Sequence, residues 1–339
     1  MSESAQVISP FVNAHQSAFR VAPGPTTREW LRHFGLFLIT VVTTTFAGLV
    51  IVAPELDVAS PPLGTVFDYL LYIPAYYLRT VGVLLGFAVQ HPTFLADGLI
   101  FSASLLAILT AHEMGHYVAC RRYGVAATLP FFIPAPPLFL AGTFGAFIKI
   151  KSPIPSRRAL FDIGLAGPLA GFVVAVPIAL IGILSMQSPV RGAGYGIIFH
   201  DPLLFRLLGK LVGIPLDPFA PINPYYMAAW IGLLVTSLNL MPVGQLDGGH
   251  GTFALFGPRA HKLIGRIAFA VMAVLTVLGF VWYGSPSGFL YTVLLAVMLR
   301  VGHPQPEDVE SLGSVRLLIS FVTLIVFALC FWPFPITIY

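Results

Sequence analysis

The stretch "LTAHEMGHYVAC", residues 109–120, sets two histidines and a glutamate inside one of the most apolar regions of the chain. Its surroundings identify the solvent. Of 339 residues only 9% are charged and 57% are hydrophobic, with a mean hydropathy of +0.87. A soluble domain carries about 25% charged residues, so this composition describes an all-α polytopic membrane protein. With 18 Lys+Arg against 14 Asp+Glu, and no basic run interleaved with aromatics, nucleic acid is excluded as a partner; the bilayer is the expected one. Cys120 and Cys330 both lie in or beside apolar segments and form neither a disulfide framework nor a metal knuckle.

Working outward from that stretch, apolar runs of helix-spanning length occur near 34–53, 96–118, 160–186, 225–246, 265–283, 286–301 and 315–335. Six to seven transmembrane helices are expected. Residues 1–33 read as a cytosolic N-terminal tail, without the apolar core of a secretory signal. Residues 64–90 are aromatic-rich but interrupted by Asp68 and Arg79, and read as an interfacial segment that does not cross. That choice places Arg121, Arg122, Lys149, Lys151, Arg157, Arg158, Arg259, Lys262, Arg266, Arg300 and Arg316 on the inner face. Arg79, Arg191, Arg206 and Lys210 fall outside.

The opening stretch now has a chemical reading. "HEMGH" is an HExxH pattern in which His112 and His116 are one helical turn apart and share a face. Two neutral imidazoles so spaced can bind one Zn²⁺, leaving room for a third ligand and a water whose pKa falls towards about 7. Glu113 can then take that water's proton as general base. An ionisable residue at the bilayer centre costs about 2.5–3.5 kcal/mol on insertion scales, so three in one turn need a shared task.

A third ligand must come from elsewhere. Asp97 lies too far along the same helix, and Asp162 is accounted for by capping or by pairing with Arg157 and Arg158. Asp247 sits in "NLMPVGQLDGGHG", residues 239–251, where Pro242 breaks the helical ladder and four glycines permit close approach. Broken backbone at membrane depth belongs around a protein-lined cavity, which makes Asp247 a good candidate; His250 is the alternative. If the helix with HEMGH and the one before Asp247 both run outside to inside, both ligand sets reach a similar depth near the inner face. Cys120 reads as a packed thiol, and His91, His200, His261 and His303 read as interfacial.

Two further segments bear on the site. "GTFGAFIKI", residues 142–150, reads as a strand or hairpin whose edge could take an extended substrate by β-addition, and the Pro-rich run 130–137 leads into it as extended chain. "GLAGPLAG", residues 164–171, puts Gly164, Gly167 and Gly171 on a small-residue face for close packing, with a kink at Pro168.

Together these motifs resemble the site-2 protease family of intramembrane zinc metalloproteases. "HEMGH" is similar to its HExxH span, and "NLMPVGQLDGG" to its NxxPxxxLDG motif. "AGTFGAFIKIKSPIPSRRALFDIGLAGPLAG", residues 141–171, is similar to its membrane-associated β-loop and following Gly-Pro span. The resemblance implies a three-helix catalytic core within 96–257; the apolar runs, not the resemblance, place a first span and interfacial segment over 34–95 before it and further transmembrane helices over 258–339 after it. It implies one zinc per chain held by His112, His116 and Asp247, with Glu113 as base. It also implies transmembrane-helix substrates, cleaved after unwinding into an extended form. Asn239 would engage the substrate backbone, with Gly142, Thr143, Phe144 and Gly145 as strand contacts and Pro242, Gly167 and Pro168 shaping the site. A bacterial cytoplasmic membrane, with the active site towards the cytosol, is the expected location. A membrane zincin acting on soluble or prenylated peptides would draw a glutamate ligand from beyond the motif helix, where only Glu307 and Glu310 occur, in a polar loop. A non-catalytic zinc binder needs no Glu113, and a transporter would repeat its polar features in two halves.

Overall fold

The computed structural model describes residues 24–53, 58–61, 64–136, 138–187, 197–217, 220–302 and 310–338. Residues 1–23 of the expected tail, and Arg191, His303 and Glu307, lie outside them. The architecture is helical: α1 (Thr27–Val52), α2 (Val66–Gln90), α3 (Pro92–Arg122), a hairpin of β1 (Phe131–Pro134) and β2 (Thr143–Phe147), and α4 (Arg157–Leu184). Then follow β3 (Ile197–Phe199), α5 (Leu203–Val212), α6 (Pro224–Asn239), α7 (Asp247–Tyr283), α8 (Ser287–Met298), α9 (Ser314–Cys330) and β4 (Ile336–Ile338). Residues 27–33 are thus the first turns of α1, capped by a Thr26–Glu29 capping box, and do not belong to a tail.

Among the described residues, five helices are long and apolar enough to cross a bilayer: α1, Leu71–Gln90 within α2, α3, α4 and α7. The expected span 225–246 is helical only to Asn239, and the expected span 286–301 is a helix of 12 residues. The 17 residues of α9 reach about 26 Å at 1.5 Å per residue, short of a full hydrocarbon core. α7 contains a break at Gly257, whose φ of 79° precedes Pro258; a residue before proline disfavours the helical region, and glycine tolerates the alternative.

Small and hydroxylated residues set how closely the helices pack. A Cβ on Gly48 of α1 would lie 2.9 Å from Gly98 Cα of α3, and one turn away Thr44 Oγ1 and Ser102 Oγ share a 2.6 Å hydrogen bond. α3 packs most extensively on α4. Ser156 caps α4 by accepting from Ala159 N at 3.1 Å. Asp162, on the first turns of α4, pairs not with Arg157 or Arg158 but with Arg316 of α9, at 2.9 and 2.6 Å, and with Tyr123. Arg157 instead donates to the Ala254 and Leu255 carbonyls of α7, and Arg158 meets Glu310 at 3.0 Å. The reason is geometric: all three side chains radiate from one helix end towards different neighbours.

The Pro-rich run is more than a lead-in. It supplies β1, which pairs antiparallel with β2 through Phe131 with Phe147, Phe132 with Ala146, and Pro134 with Thr143, with an irregularity after Phe132. The hairpin docks on α1, where His33 Nδ1 donates to the Pro130 carbonyl at 2.9 Å and Gly142 fits against Thr43 and Thr44. Glu29 and Lys151 close the same corner at 2.7 Å. The start of α1, the end of α3 and the start of α4 therefore share one end of the molecule. At the opposite end β3 pairs with β4, near Arg206, which stacks on Trp332.

Candidate metal centre

α3 carries His112, Glu113 and His116 into the interior, all three buried despite their polarity. Asp247 arrives from α7, as its first residue. It is delivered by a turn, Leu240–Leu246, that folds back over the start of α7. The motif's glycines make that turn possible. Gly244 has φ +54°, and a Cβ on Gly248 or Gly249 would strike the Leu240 or Gly244 carbonyl.

Three ligand atoms converge. His112 Nε2 and His116 Nε2 are 3.2 Å apart, and Asp247 Oδ2 lies 3.3 Å from the first and 3.4 Å from the second. A tetrahedral ion with bonds of 2.0–2.1 Å holds its ligand atoms about 3.3 Å from one another, so the triangle fits one such ion. The protonation pattern leads to the same conclusion. His116 Nδ1 lies 2.7 Å from the Ile163 carbonyl of α4, which can only accept, so Nδ1 carries the proton, and in the neutral ring Nε2 presents its lone pair. Without a positive charge between them, that lone pair and the Asp247 oxygen repel. A single extra proton on one ring would pair that ring with Asp247 but leave the other imidazole's Nε2 without a cation, and protons on both would set two cations side by side in a buried site. One divalent cation satisfies all three groups at once.

Glycines on α4 permit this arrangement. A Cβ on Gly167 would collide with the His116 ring, and one on Gly171 would come within 3.2 Å of His112 Cβ. Gly164 lies under His250, which lines the cavity beside Asp247. Pro168 follows Gly167 within α4, and Pro242 lies in the returning turn; neither lines the cavity. Asn239, the last residue of α6, points Nδ2 at His112 Nε2 from 3.3 Å.

His112, Glu113, His116, Asn239, Asp247 and His250 line a cavity of about 260 Å³, one wall of which is the end of β2 and the chain that follows it. That wall is formed by Ala146, Phe147, Ile148 and Ile150, and the Ile148 backbone amide faces the Glu113 carboxylate. Gly142, Thr143, Phe144 and Gly145 do not line it. Thr143 is turned inward, donating to the Ile133 carbonyl at 2.7 Å, and Gly142 is held against α1. The sequence located the strand, but which part of it meets the site depends on the β1–β2 register, which one chain of letters does not display. Ile163 and Gln245 are site neighbours that no motif marks. Ile163 acts through its carbonyl, which has no sequence signature. His261, expected at the interface, is buried and shares a 3.0 Å hydrogen bond with Thr252.

The model of Peptidase family M50 matches residues 100–281, from the body of α3 to the end of α7. The chain belongs to peptidase family M50. This M50 chain is 31% identical over 251 residues to "Probable zinc metalloprotease EGY2, chloroplastic" of Oryza sativa subsp. indica, covering 71% of this chain and 44% of that protein. It is 32% identical over 250 residues to "Probable zinc metalloprotease EGY1, chloroplastic" of Arabidopsis thaliana, with the same coverage of 71% and 44%. Against EGY1 of Oryza sativa subsp. japonica it is 29% identical over 313 residues, 87% of this chain and 49% of the relative. The chain thus spans less than half the length of these relatives. No solved structure matches it.

Proposed function

We propose that this M50 member is a zinc-dependent endopeptidase that hydrolyses peptide bonds within membrane-spanning segments. The observation that carries the reading is the 3.2–3.4 Å triangle of His112, His116 and Asp247 with Glu113 in the same buried cavity. His112, His116 and Asp247 would hold the ion, and two imidazoles with one carboxylate and an open position suit zinc. When bound, zinc lowers the pKa of water and polarises a carbonyl.

The chain's own groups supply the rest. Glu113 accepts the proton of the attacking water on its carboxylate and returns it to the leaving amine nitrogen. Asn239 Nδ2 offers an N–H to the substrate carbonyl beside His112. The cavity-facing part of β2 and its continuation, Ala146–Ile148, offers backbone groups to an unwound substrate, so that its N–H and C=O groups are not left unpaired in lipid. The integral membrane setting follows from the helices. The finer placement, with the site towards the cytosolic face, is supported by the cationic end formed by Arg121, Arg122, Lys149, Lys151, Arg157 and Arg158; that charge pattern speaks to the face and not to the expected bacterial cytoplasmic membrane. In the same frame α2 makes no net crossing. The antiparallel pairing of α1 with α3 puts the end of one and the start of the other at the same face, and the C-terminal part of α2, around Leu84 and Ala88, packs against them.

The test compares wild type, Glu113→Gln and Asp247→Asn in detergent, for metal content and for cleavage of a single-span substrate. Glu113→Gln is expected to keep the metal and lose cleavage, and Asp247→Asn to lose metal. Retained cleavage in Glu113→Gln would sink the mechanism.

A further inference from the structure

A second cavity, of about 460 Å³, opens at the cationic end between the kinked part of α7 and the segment leaving α8. Lys262 and Arg266, one turn apart on α7, and Arg300 beyond α8 converge on it, with the buried His261 in its wall. Among the described residues, none of these three cations is held by a carboxylate, whereas nearby Lys151, Arg158 and Arg316 pair with Glu29, Glu310 and Asp162. Gly244, Gly265 and Gly302 leave part of its wall free of side chains, so a ligand can approach the backbone.

We propose that this cavity binds a phosphate-bearing anion. A point charge and two planar guanidinium forks around one hollow suit the several oxygens of a phosphate ester. A position at the cationic end, between helices, is where a basic pocket meets an anionic headgroup. The site is coupled to the metal turn. Gln245 Nε2 donates to the Gly302 carbonyl at 2.5 Å, and Gly244 packs against Met298, so the Asp247-bearing turn and the cavity share a wall.

The experiment uses the full metal-loaded chain in detergent and measures binding of dioctanoyl phosphatidylglycerol, inorganic pyrophosphate and dioctanoyl phosphatidylcholine. The variants are Arg266→Gln with Arg300→Gln, Lys262→Gln alone, and a control pair, Arg28→Gln with Arg122→Gln, that removes the same charge at the same end. The cavity pair is expected to weaken binding of the anionic probe about tenfold or more, the lysine variant to weaken it less, and the control pair to leave it unchanged. Binding of phosphatidylglycerol alone identifies a lipid headgroup as the source, and binding of pyrophosphate as well identifies the phosphate group itself. If the cavity pair does not retain metal, Lys262→Gln decides alone. No binding by wild type, equal binding of phosphatidylcholine, equal weakening by the control pair, or no weakening by the cavity variants overturns the proposal.

Discussion

His116 and Ile163 are joined by a 2.7 Å hydrogen bond from an imidazole Nδ1–H on α3 to a main-chain carbonyl on α4. Because a carbonyl only accepts, this contact fixes the tautomer of the neutral ring and turns its Nε2 lone pair towards the point shared with His112 Nε2 and Asp247 Oδ2. The helix that contributes no ligand therefore sets the orientation of one.

Gly167→Ala tests that relationship. Alanine normally stabilises a helix interior by roughly 0.5–1 kcal/mol over glycine, yet here its Cβ would occupy the space of the His116 ring. We expect at least a tenfold loss of metal affinity, read by competition with a chelating dye, and a helical circular dichroism spectrum like that of wild type.

Removing the metal should destabilise the fold, since binding to the native state alone adds about 2.7 kcal/mol at a hundredfold excess over Kd. Chelation is expected to lower Tm in wild type. In an Asp247→Asn variant the shift should be much smaller, as seen by thermal unfolding with and without chelator.

Asn239→Ala separates metal holding from substrate handling. Its amide lies 3.3 Å from His112 Nε2, so if its task is to donate to substrate, metal content should be unchanged while kcat falls by roughly 10²-fold. Loss of metal in this variant would assign Asn239 to positioning His112 instead.

The Asp162–Arg316 pair ties α9 to α4, with each side chain about a quarter exposed and Tyr123 hydrogen-bonded to both. Removing one partner leaves a partly desolvated charge, so Asp162→Asn or Arg316→Gln should each cost about 1–2 kcal/mol. A double-mutant cycle read by thermal unfolding should give a non-zero coupling energy.

Gly142 and Gly145 form an internal comparison for the hairpin. Both have positive φ, +66° and +105°, but only at Gly142 would a Cβ also strike α1, at Thr43. Gly145→Ala should cost backbone strain of about 1–3 kcal/mol. Gly142→Ala should cost more and expose the hairpin to limited proteolysis.

The residue types at the centre were readable because their spacing is local. HExxH places two imidazoles on one helical face by helix geometry alone, and a run of charge inside apolar sequence marks where the bilayer imposes a cost. "PVGQLDGG" could likewise be read as broken backbone, because proline and glycine act on their own φ and ψ. The membrane class and the cationic end follow from composition and the order of charges. What required the folded chain was everything fixed by distance between remote residues. The Ile163 carbonyl that orients His116, the choice of Arg316 as partner of Asp162, and the register that brings Ala146–Ile148 to the cavity in place of Gly142–Gly145 are of this kind. A sequence states which groups a residue offers; which neighbour receives them is decided by packing, where a shift of a few ångströms replaces one partner by another.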